Sequence, residues 1–168
     1  MKRLKIAKSI VASVLAVGIM GSMVACGDST ANNSQTTAVT SYSFQTNGLT
    51  INIDDEANGI LSTLGNNYTY YEAKSCAFDG KDKVYDYGGY QLQFYQKNNK
   101  DVLYSVTFMD DTVKTPEGIK IGDAKSKVLS AYSTAKENGN VITVDGGNME
   151  LKFTIANDLV TGVIYELK

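Results

Sequence analysis

An internal repetition is the feature of this sequence that most constrains its fold. Segments 51–65 and 119–133 are identical at five of their 15 aligned positions. Both run from an Ile-x-Ile segment through an aspartate into apolar residues at helical spacing, and alternating segments follow each copy in the same order. This pattern indicates a duplicated structural unit. The alternative is chance similarity between two helix-and-strand segments.

Each copy predicts one helix. Asp55 and Asp123 stand just before the apolar pattern, where a carboxylate can accept hydrogen bonds from the free amides of a helix start. Gly59 lies inside the first helix and predicts that it is short, whereas Asn138-Gly139 predicts the end of the second. The apolar positions are Ala57, Ile60, Leu61 and Leu64 in the first copy, and Ala124, Val128, Leu129, Tyr132 and Ala135 in the second.

Alternation of apolar and polar residues after each helix predicts antiparallel strands. In this pattern, segment 90–94 aligns with 149–153 and segment 101–108 aligns with 158–165. Asparagine- and glycine-containing turns predict hairpins between the strands. The remaining predicted strands are 70–78, 84–87 and 141–144, and the predicted turns are 97–100, 145–146 and 156–157.

These patterns predict an α+β fold, in which two related helix-plus-antiparallel-strand repeats form a sheet with the helices packed on one face. The first repeat is 47–111, the linker 112–118 contains the only proline, and the second repeat is 119–168. Twelve of the 19 residues in 27–45 are Ser, Thr, Asn or Gln, which predicts a flexible tether over 26–46. Polar and apolar residues also alternate in 41–46, which leaves open that the first strand begins within this segment.

The first 25 residues have the pattern of a secretory signal. Basic residues from Lys2 to Lys8 precede an apolar run over 10–24 that is short for a membrane span. The residues Met23-Val24-Ala25-Cys26 resemble the bacterial lipobox. This resemblance implies cleavage between Ala25 and Cys26, with diacylglycerol and palmitate-type chains holding Cys26 to the cell membrane, facing outside the cytoplasm. There are two alternatives. The cysteine is accidental beside an ordinary signal cleavage site, or the apolar run is an uncleaved membrane anchor.

Composition excludes several classes of function. The chain has no histidine, which removes Ser-His-Asp and Cys-His catalysis. Without the signal, 12 basic residues face 18 acidic ones, so nucleic acid is an unfavourable partner. The acidic segments 54–56 and 110–111 fit turns or caps better than a catalytic pair, and 79–86 lacks the spacing of a calcium loop. We therefore expect no enzymatic activity, no cofactor and no metal.

Alternation within 90–94 predicts that its apolar residues face the core and that the intervening side chains face outward, together with neighbouring tyrosines. Exposed tyrosine and glutamine are typical of surfaces that bind proteins or glycans, although strand propensity alone explains them too. Cys76, without a histidine to activate it, is expected to be a buried lone thiol on a strand. The candidate binding face comprises Tyr85, Tyr87, Gln91, Gln93 and Tyr95.

The repeat architecture resembles the fold of beta-lactamase inhibitor proteins and of small outer-membrane assembly lipoproteins. Within it, Gly118–Leu129 resembles the opening segment of their repeats. Segments 75–85 and 115–123 are similar to uncharacterised lipoproteins of anaerobic Gram-positive bacteria. The resemblance covers 47–168 and implies binding through a concave sheet face, but it carries over no inhibitor contact residue. We therefore expect a lipid-anchored, non-catalytic binding domain of the cell envelope whose partner is an envelope protein or a glycan. An inhibitor of an extracellular enzyme, or an enzyme using Asp or Tyr chemistry, is the alternative.

Overall fold

The computed structural model describes residues 41–168, so the predicted signal 1–25, the lipidation site Cys26 and most of the tether lie outside the described residues. Within the described part, no helix is long and apolar enough to cross a membrane. This part contains ten strands and two helices. The elements are β1 (Phe44–Thr46), β2 (Leu49–Ile51), α1 (Ala57–Leu64), β3 (Thr69–Lys74), β4 (Lys81–Asp86), β5 (Tyr90–Lys97), β6 (Lys100–Phe108), α2 (Lys125–Ala131), β7 (Lys136–Asn138), β8 (Val141–Asp145), β9 (Met149–Ala156) and β10 (Leu159–Leu167).

Eight strands form one antiparallel sheet in the order β3-β4-β5-β6-β10-β9-β8-β7, and β1 and β2 form a separate two-stranded ribbon. At the centre, β6 pairs with β10, and Thr107 lies opposite Ile164. The turns Asn98-Asn99 and Asn157-Asp158 have positive φ at both residues, as two-residue hairpin turns of type I′ require. Both predicted hairpins are confirmed, but the second turn lies one residue later than the predicted 156–157.

The sheet has one face that packs in the hydrophobic core, here called the core face. Alternate residues of β5 (Tyr90, Leu92, Phe94) and of β9 (Met149, Leu151, Phe153) are buried on this face, as their alternation predicts. Ala57 and Ile60 of α1 and Val128 of α2 belong to the same core cluster. The opposite face, here called the polar face, carries Gln91, Gln93, Ser105, Thr107, Lys152 and Glu166, which the strand register places beside one another.

The fold is dominated by antiparallel sheet, with only two short helices of eight and seven residues. The antiparallel-sheet part of the predicted α+β fold is confirmed, but the helical part is smaller than predicted. Helix α2 ends at Ala131, and the stretch before Asn138-Gly139 that was predicted as helix contains β7. Tyr132 leaves the helix at φ −122° and ψ 93°, and its ring packs 5.3 Å from that of Phe153. Core packing of this ring thus ends the helical pattern.

The two aspartates before the helices do not cap them. The N-cap residues are Glu56 and Ala124, and neither makes a side-chain hydrogen bond to its helix. The Asp55 carboxylate instead accepts a hydrogen bond from the Asn52 amide at 2.7 Å, and Asp123 accepts one from the Lys120 amide at 2.9 Å. The capping prediction is therefore wrong, because both carboxylates close the turn that precedes the helix.

Several contacts recur in the two parts of the chain. The Asp54 amide donates to the Leu103 carbonyl at 2.9 Å, and the Gly122 amide donates to the Val160 carbonyl at 2.8 Å. Isolated bridges join Glu56 to Val102 and Ala124 to Leu159. The strand register also shifts at Tyr104 in β6 and at Thr161 in β10, so each strand carries one extra residue there.

The folded part begins earlier than predicted. Phe44 is fully buried in β1 and packs 4.9 Å from Tyr90 and 5.4 Å from Phe108, ring centroid to ring centroid, although it falls within the predicted tether 26–46. Residues of the predicted linker 112–118 are also part of the folded unit, since Val113 packs against the core and Thr115 is buried. The described residues lie in one compact unit, and they contain the core cluster. A fragment of residues 41–168 is therefore expected to fold on its own.

Candidate functional site

The structure does not bring the five residues of the predicted binding face together. Tyr85 pairs with Leu92 and lies on the core face, and the Tyr87 ring stacks on the Tyr90 ring at 5.3 Å. Gln91 and Gln93 lie half-buried on the polar face. The predicted face is therefore divided between the two sides of the sheet.

The turn between β4 and β5 explains this division. Gly88 and Gly89 form a two-residue connection, with Gly88 at φ +88° and the Tyr87 amide bonded to the Tyr90 carbonyl at 3.0 Å. A two-residue turn places Tyr87 directly opposite Tyr90, and residues directly opposite in a sheet share a face. The Gly-Gly pair is thus the sequence signal that assigns Tyr85 and Tyr87 to the side of Tyr90 and Leu92.

Tyr95 lies on the polar side but is only 7% exposed, so its predicted outward exposure is wrong. The Phe78 ring covers it at a centroid distance of 4.2 Å, and Tyr104 packs against both rings. Phe78 belongs to the loop between β3 and β4, because β3 ends at Lys74 and not at the predicted residue 78. Cys76 lies exposed in the same loop, so the prediction of a buried thiol on a strand is also wrong.

A continuous group of tyrosines covers the core-face side of β3, β4 and the loop before β3. Tyr85 is the centre of this group, with its ring centroid 4.9 Å from those of both Tyr68 and Tyr70. Tyr87 lies 5.6 Å from Tyr68, and the Tyr70 side chain is largely exposed. We call Tyr68, Tyr70, Tyr85 and Tyr87 the tyrosine surface. Two of its four members, Tyr85 and Tyr87, belong to the predicted binding face.

Amide and hydroxyl groups border the tyrosine surface. A cavity of about 320 Å³ is lined by Asn66, Asn67, Tyr68, Thr69, Asp86, Tyr87 and Gly88. A neighbouring cavity of about 240 Å³ shares Asn67 and Tyr87 with it. The Tyr87 hydroxyl donates to the Gly65 carbonyl at 3.2 Å, which fixes its ring against the loop. This region therefore presents aromatic rings beside several hydrogen-bonding groups.

The hydroxyls of Tyr70, Tyr85 and Tyr87 remain protonated at neutral pH. Burial raises the pKa of Tyr87 to about 12 and also raises the pKa of Tyr85. The Tyr70 hydroxyl donates to Glu72 at 2.6 Å, and this hydrogen bond raises the pKa of Tyr70. Lys81, which is bonded to Glu72, lowers the pKa of that carboxyl. Tyrosinate chemistry is therefore unfavourable here, whereas the neutral hydroxyls of Tyr70 and Tyr87, which donate to Glu72 and Gly65, can still accept hydrogen bonds.

The acidic residues considered for catalysis hold turns and ion pairs. Asp54 lies 2.6 Å from the Lys97 ammonium, and Asp111 lies 3.1 Å from Lys120. The Asp110 carboxylate accepts two hydrogen bonds from Thr112, which lower its pKa. Among residues 41–168, no group of three or more metal-ligating side chains is placed to hold an ion. These contacts give each carboxylate a structural role.

The polar face holds its charges in an internal network. The Lys152 ammonium lies 2.9 Å from Glu166 and 3.3 Å from Glu150, and the Tyr104 hydroxyl donates to Glu166 at 3.0 Å. These contacts engage Lys152 and Glu166 with neighbouring side chains, which leaves this face less free for a ligand than the tyrosine surface.

Comparison of the chain with models of protein families, with curated proteins and with solved structures finds no match.

Proposed function

We propose that the protein is a lipid-anchored binding domain of the bacterial cell envelope, held outside the cytoplasm through Cys26, which acts through its tyrosine surface and without catalysis. The lipobox-like residues 23–26 support the anchor. The observation that carries the binding role is the series of ring contacts that joins Tyr70, Tyr85, Tyr68 and Tyr87 beside polar cavities.

The chemistry of this surface favours a neutral glycan as the ligand. A sugar ring has apolar C–H faces that pack on aromatic rings and hydroxyl groups that bond to amides and carboxylates. Tyr68 and Tyr87 supply the rings, and Asn66 and Asn67 supply amide groups, at a cavity of about 320 Å³. The volume of this shallow cavity lies at the lower end of the range for small-molecule sites.

Two tyrosines on the same strand give a matched test of the binding surface. Tyr70 is 42% exposed and lies on the tyrosine surface, whereas Tyr71 is 48% exposed and points to the other side of the sheet. Fragment 41–168 should retain envelope polysaccharide on a column, and Tyr70→Ala should weaken retention at least tenfold. Tyr71→Ala removes the same side chain and should retain the wild-type affinity. Equal retention by the two variants would show that the tyrosine surface is not the site.

The anchor needs a separate test, because it can fail while the binding role holds. Cys26→Ser in the full chain should abolish labelling by a radioactive fatty acid and release the protein from the detergent phase. Unchanged partition of the variant would refute lipidation at Cys26.

We also propose that the two halves of the sheet arose by duplication of one helix-plus-strand unit with its helix on the core face. The mirrored strand order, the recurring bridges before each helix and the bulges at Tyr104 and Thr161 support this proposal. Tyr90 pairs with Phe108 and Leu151 pairs with Tyr165, so Leu151 is the counterpart of Tyr90. The sequence alignment of Tyr90 with Met149 is therefore displaced by two residues.

A further inference from the structure

The two edges of the eight-stranded sheet differ. Strand β7 has only three residues, Lys136–Asn138, and its short, charged sequence is typical of an edge protected against pairing. Strand β3 is twice as long, has no proline or bulge, and every one of its residues is exposed. No described strand pairs with its outer side. The β3 edge is therefore available for pairing along six residues.

The backbone groups at this edge can be assigned. The Ser75 amide donates to the Gly80 carbonyl at 3.1 Å, so the backbone of Ser75 points toward β4. Because the direction of backbone groups alternates along a strand, those of Ala73 and Tyr71 also point toward β4. The N–H and C=O groups of Tyr70, Glu72 and Lys74 therefore point outward.

Of the two charged side chains of β3, only Glu72 has an ion-pair partner among the described residues. Lys74 lies directly opposite Lys81, and like charges in this arrangement destabilise a sheet. Glu72 forms an ion pair with Lys81, but within residues 41–168 Lys74 has no ion-pair partner. A carboxylate that arrived across the free edge opposite Lys74 would relieve this repulsion.

We propose that β3 pairs antiparallel with β3 of a second copy of this chain, with the two-fold axis at Ala73. In this register, Glu72 of each copy lies opposite Lys74 of the other, which forms two ion pairs across the edge. The outward backbone groups of Glu72 and Lys74 form the first hydrogen bonds of the new ladder. The axis is perpendicular to the sheet, so both tyrosine surfaces lie on the same side of a continuous sheet of sixteen strands.

A cysteine at the two-fold axis tests the register directly. The backbone groups of Ala73 point away from the new ladder, so Ala73 and its copy form a non-hydrogen-bonded pair with Cα atoms about 4.5 Å apart. This distance lies within the range of roughly 4.4–6.8 Å that a disulfide requires. In fragment 41–168 with Cys76→Ser, Ala73→Cys should therefore give a covalent dimer under mild oxidation.

Tyr71→Cys in the same background is the matched control. In the proposed register the two copies of residue 71 are four residues out of step, or roughly 13 Å apart, and cannot form a disulfide. A dimer from Ala73→Cys alone supports the proposal. Equal or faster oxidation of Tyr71→Cys, or failure of both variants to form a dimer, would overturn it.

Charge exchange provides an independent test by sedimentation velocity over a range of protein concentrations. Lys74→Glu places two carboxylates opposite each other, and the dimer should be lost at concentrations where the wild type forms it. The double variant Glu72→Lys with Lys74→Glu restores opposite charges and should restore the dimer. A monomeric wild type, or a double variant as monomeric as the single one, would contradict the proposal. An acidic extended peptide as the true occupant would give the first of these results.

Discussion

Replacement of Tyr165 by phenylalanine should stabilise the protein. The Tyr165 side chain is 1% exposed, and its hydroxyl oxygen has no hydrogen-bond partner among the described residues. Burial accordingly raises the pKa of Tyr165 far above its ordinary value. In the proposed duplication, Phe108 of β6 is the counterpart of Tyr165. Phe108 is also buried, so the chain already accommodates a phenylalanine in the corresponding place.

The expected gain follows from two opposing terms. A buried hydroxyl without a partner costs about 1–3 kcal/mol of unfolding free energy. Removal of its oxygen leaves a void of roughly 12 Å³, which costs about 0.3 kcal/mol. We therefore expect Tyr165→Phe to raise the free energy of unfolding by about 1 kcal/mol, equivalent to roughly 4 °C in Tm for a domain of this size.

Tyr132→Phe is the matched control, with the opposite expected sign. The Tyr132 hydroxyl lies 2.9 Å from the Thr115 hydroxyl and donates to Glu117 at 2.5 Å, so its removal should cost about 1–2 kcal/mol. Urea unfolding of fragment 41–168, followed by far-UV circular dichroism at pH 7, measures both variants. A loss of stability in Tyr165→Phe similar to that in Tyr132→Phe would refute the reasoning, because it would mean that the Tyr165 hydroxyl is hydrogen-bonded in solution.

Three further predictions concern stability. The pKa values of Tyr132 and Tyr165 are raised in the folded state, so stability is independent of these two groups below pH 10 and falls above it, where they ionise in the unfolded chain but not in the folded one. The free energy of unfolding obtained from urea titrations should therefore fall by up to about 1.4 kcal/mol per pH unit per tyrosine above pH 10, and less steeply in Tyr165→Phe. Gly146→Ala should cost about 1–3 kcal/mol in thermal unfolding, because its new methyl group would overlap the buried Met149 side chain. Cys76→Ser should change stability by less than about 0.5 kcal/mol, since the side chain is exposed.

Local sequence patterns predicted the hairpins and the core alternation well. The Asn98-Asn99 turn and the alternation of Tyr90, Leu92 and Phe94 depend on neighbours along the chain, and the structure agrees with both. The end of α2 depends instead on the packing of Tyr132 against Phe153, which are distant in sequence. Helical spacing alone therefore extended that helix too far.

The candidate site was predictable only in part, because it depends on strand register. The sequence pattern identified Tyr85 and Tyr87 as binding residues. The face of the sheet on which they lie depends on the strand register that the Gly88-Gly89 turn sets. Exposure of Tyr95 was mispredicted because Phe78 covers it from a loop, a contact that no periodicity along β5 encodes. A shift of one residue in register moves every side chain of a strand to the opposite face of the sheet.

The most direct test of the account compares Tyr70→Ala and Tyr71→Ala of fragment 41–168 in calorimetric titration with purified envelope polysaccharide. Both substitutions remove an exposed tyrosine from β3, but only Tyr70 belongs to the tyrosine surface. We expect Tyr70→Ala to lose at least tenfold in affinity and Tyr71→Ala to keep the wild-type affinity. Wild-type affinity in Tyr70→Ala, an equal loss in both variants, or no binding by the unmodified fragment would contradict the account.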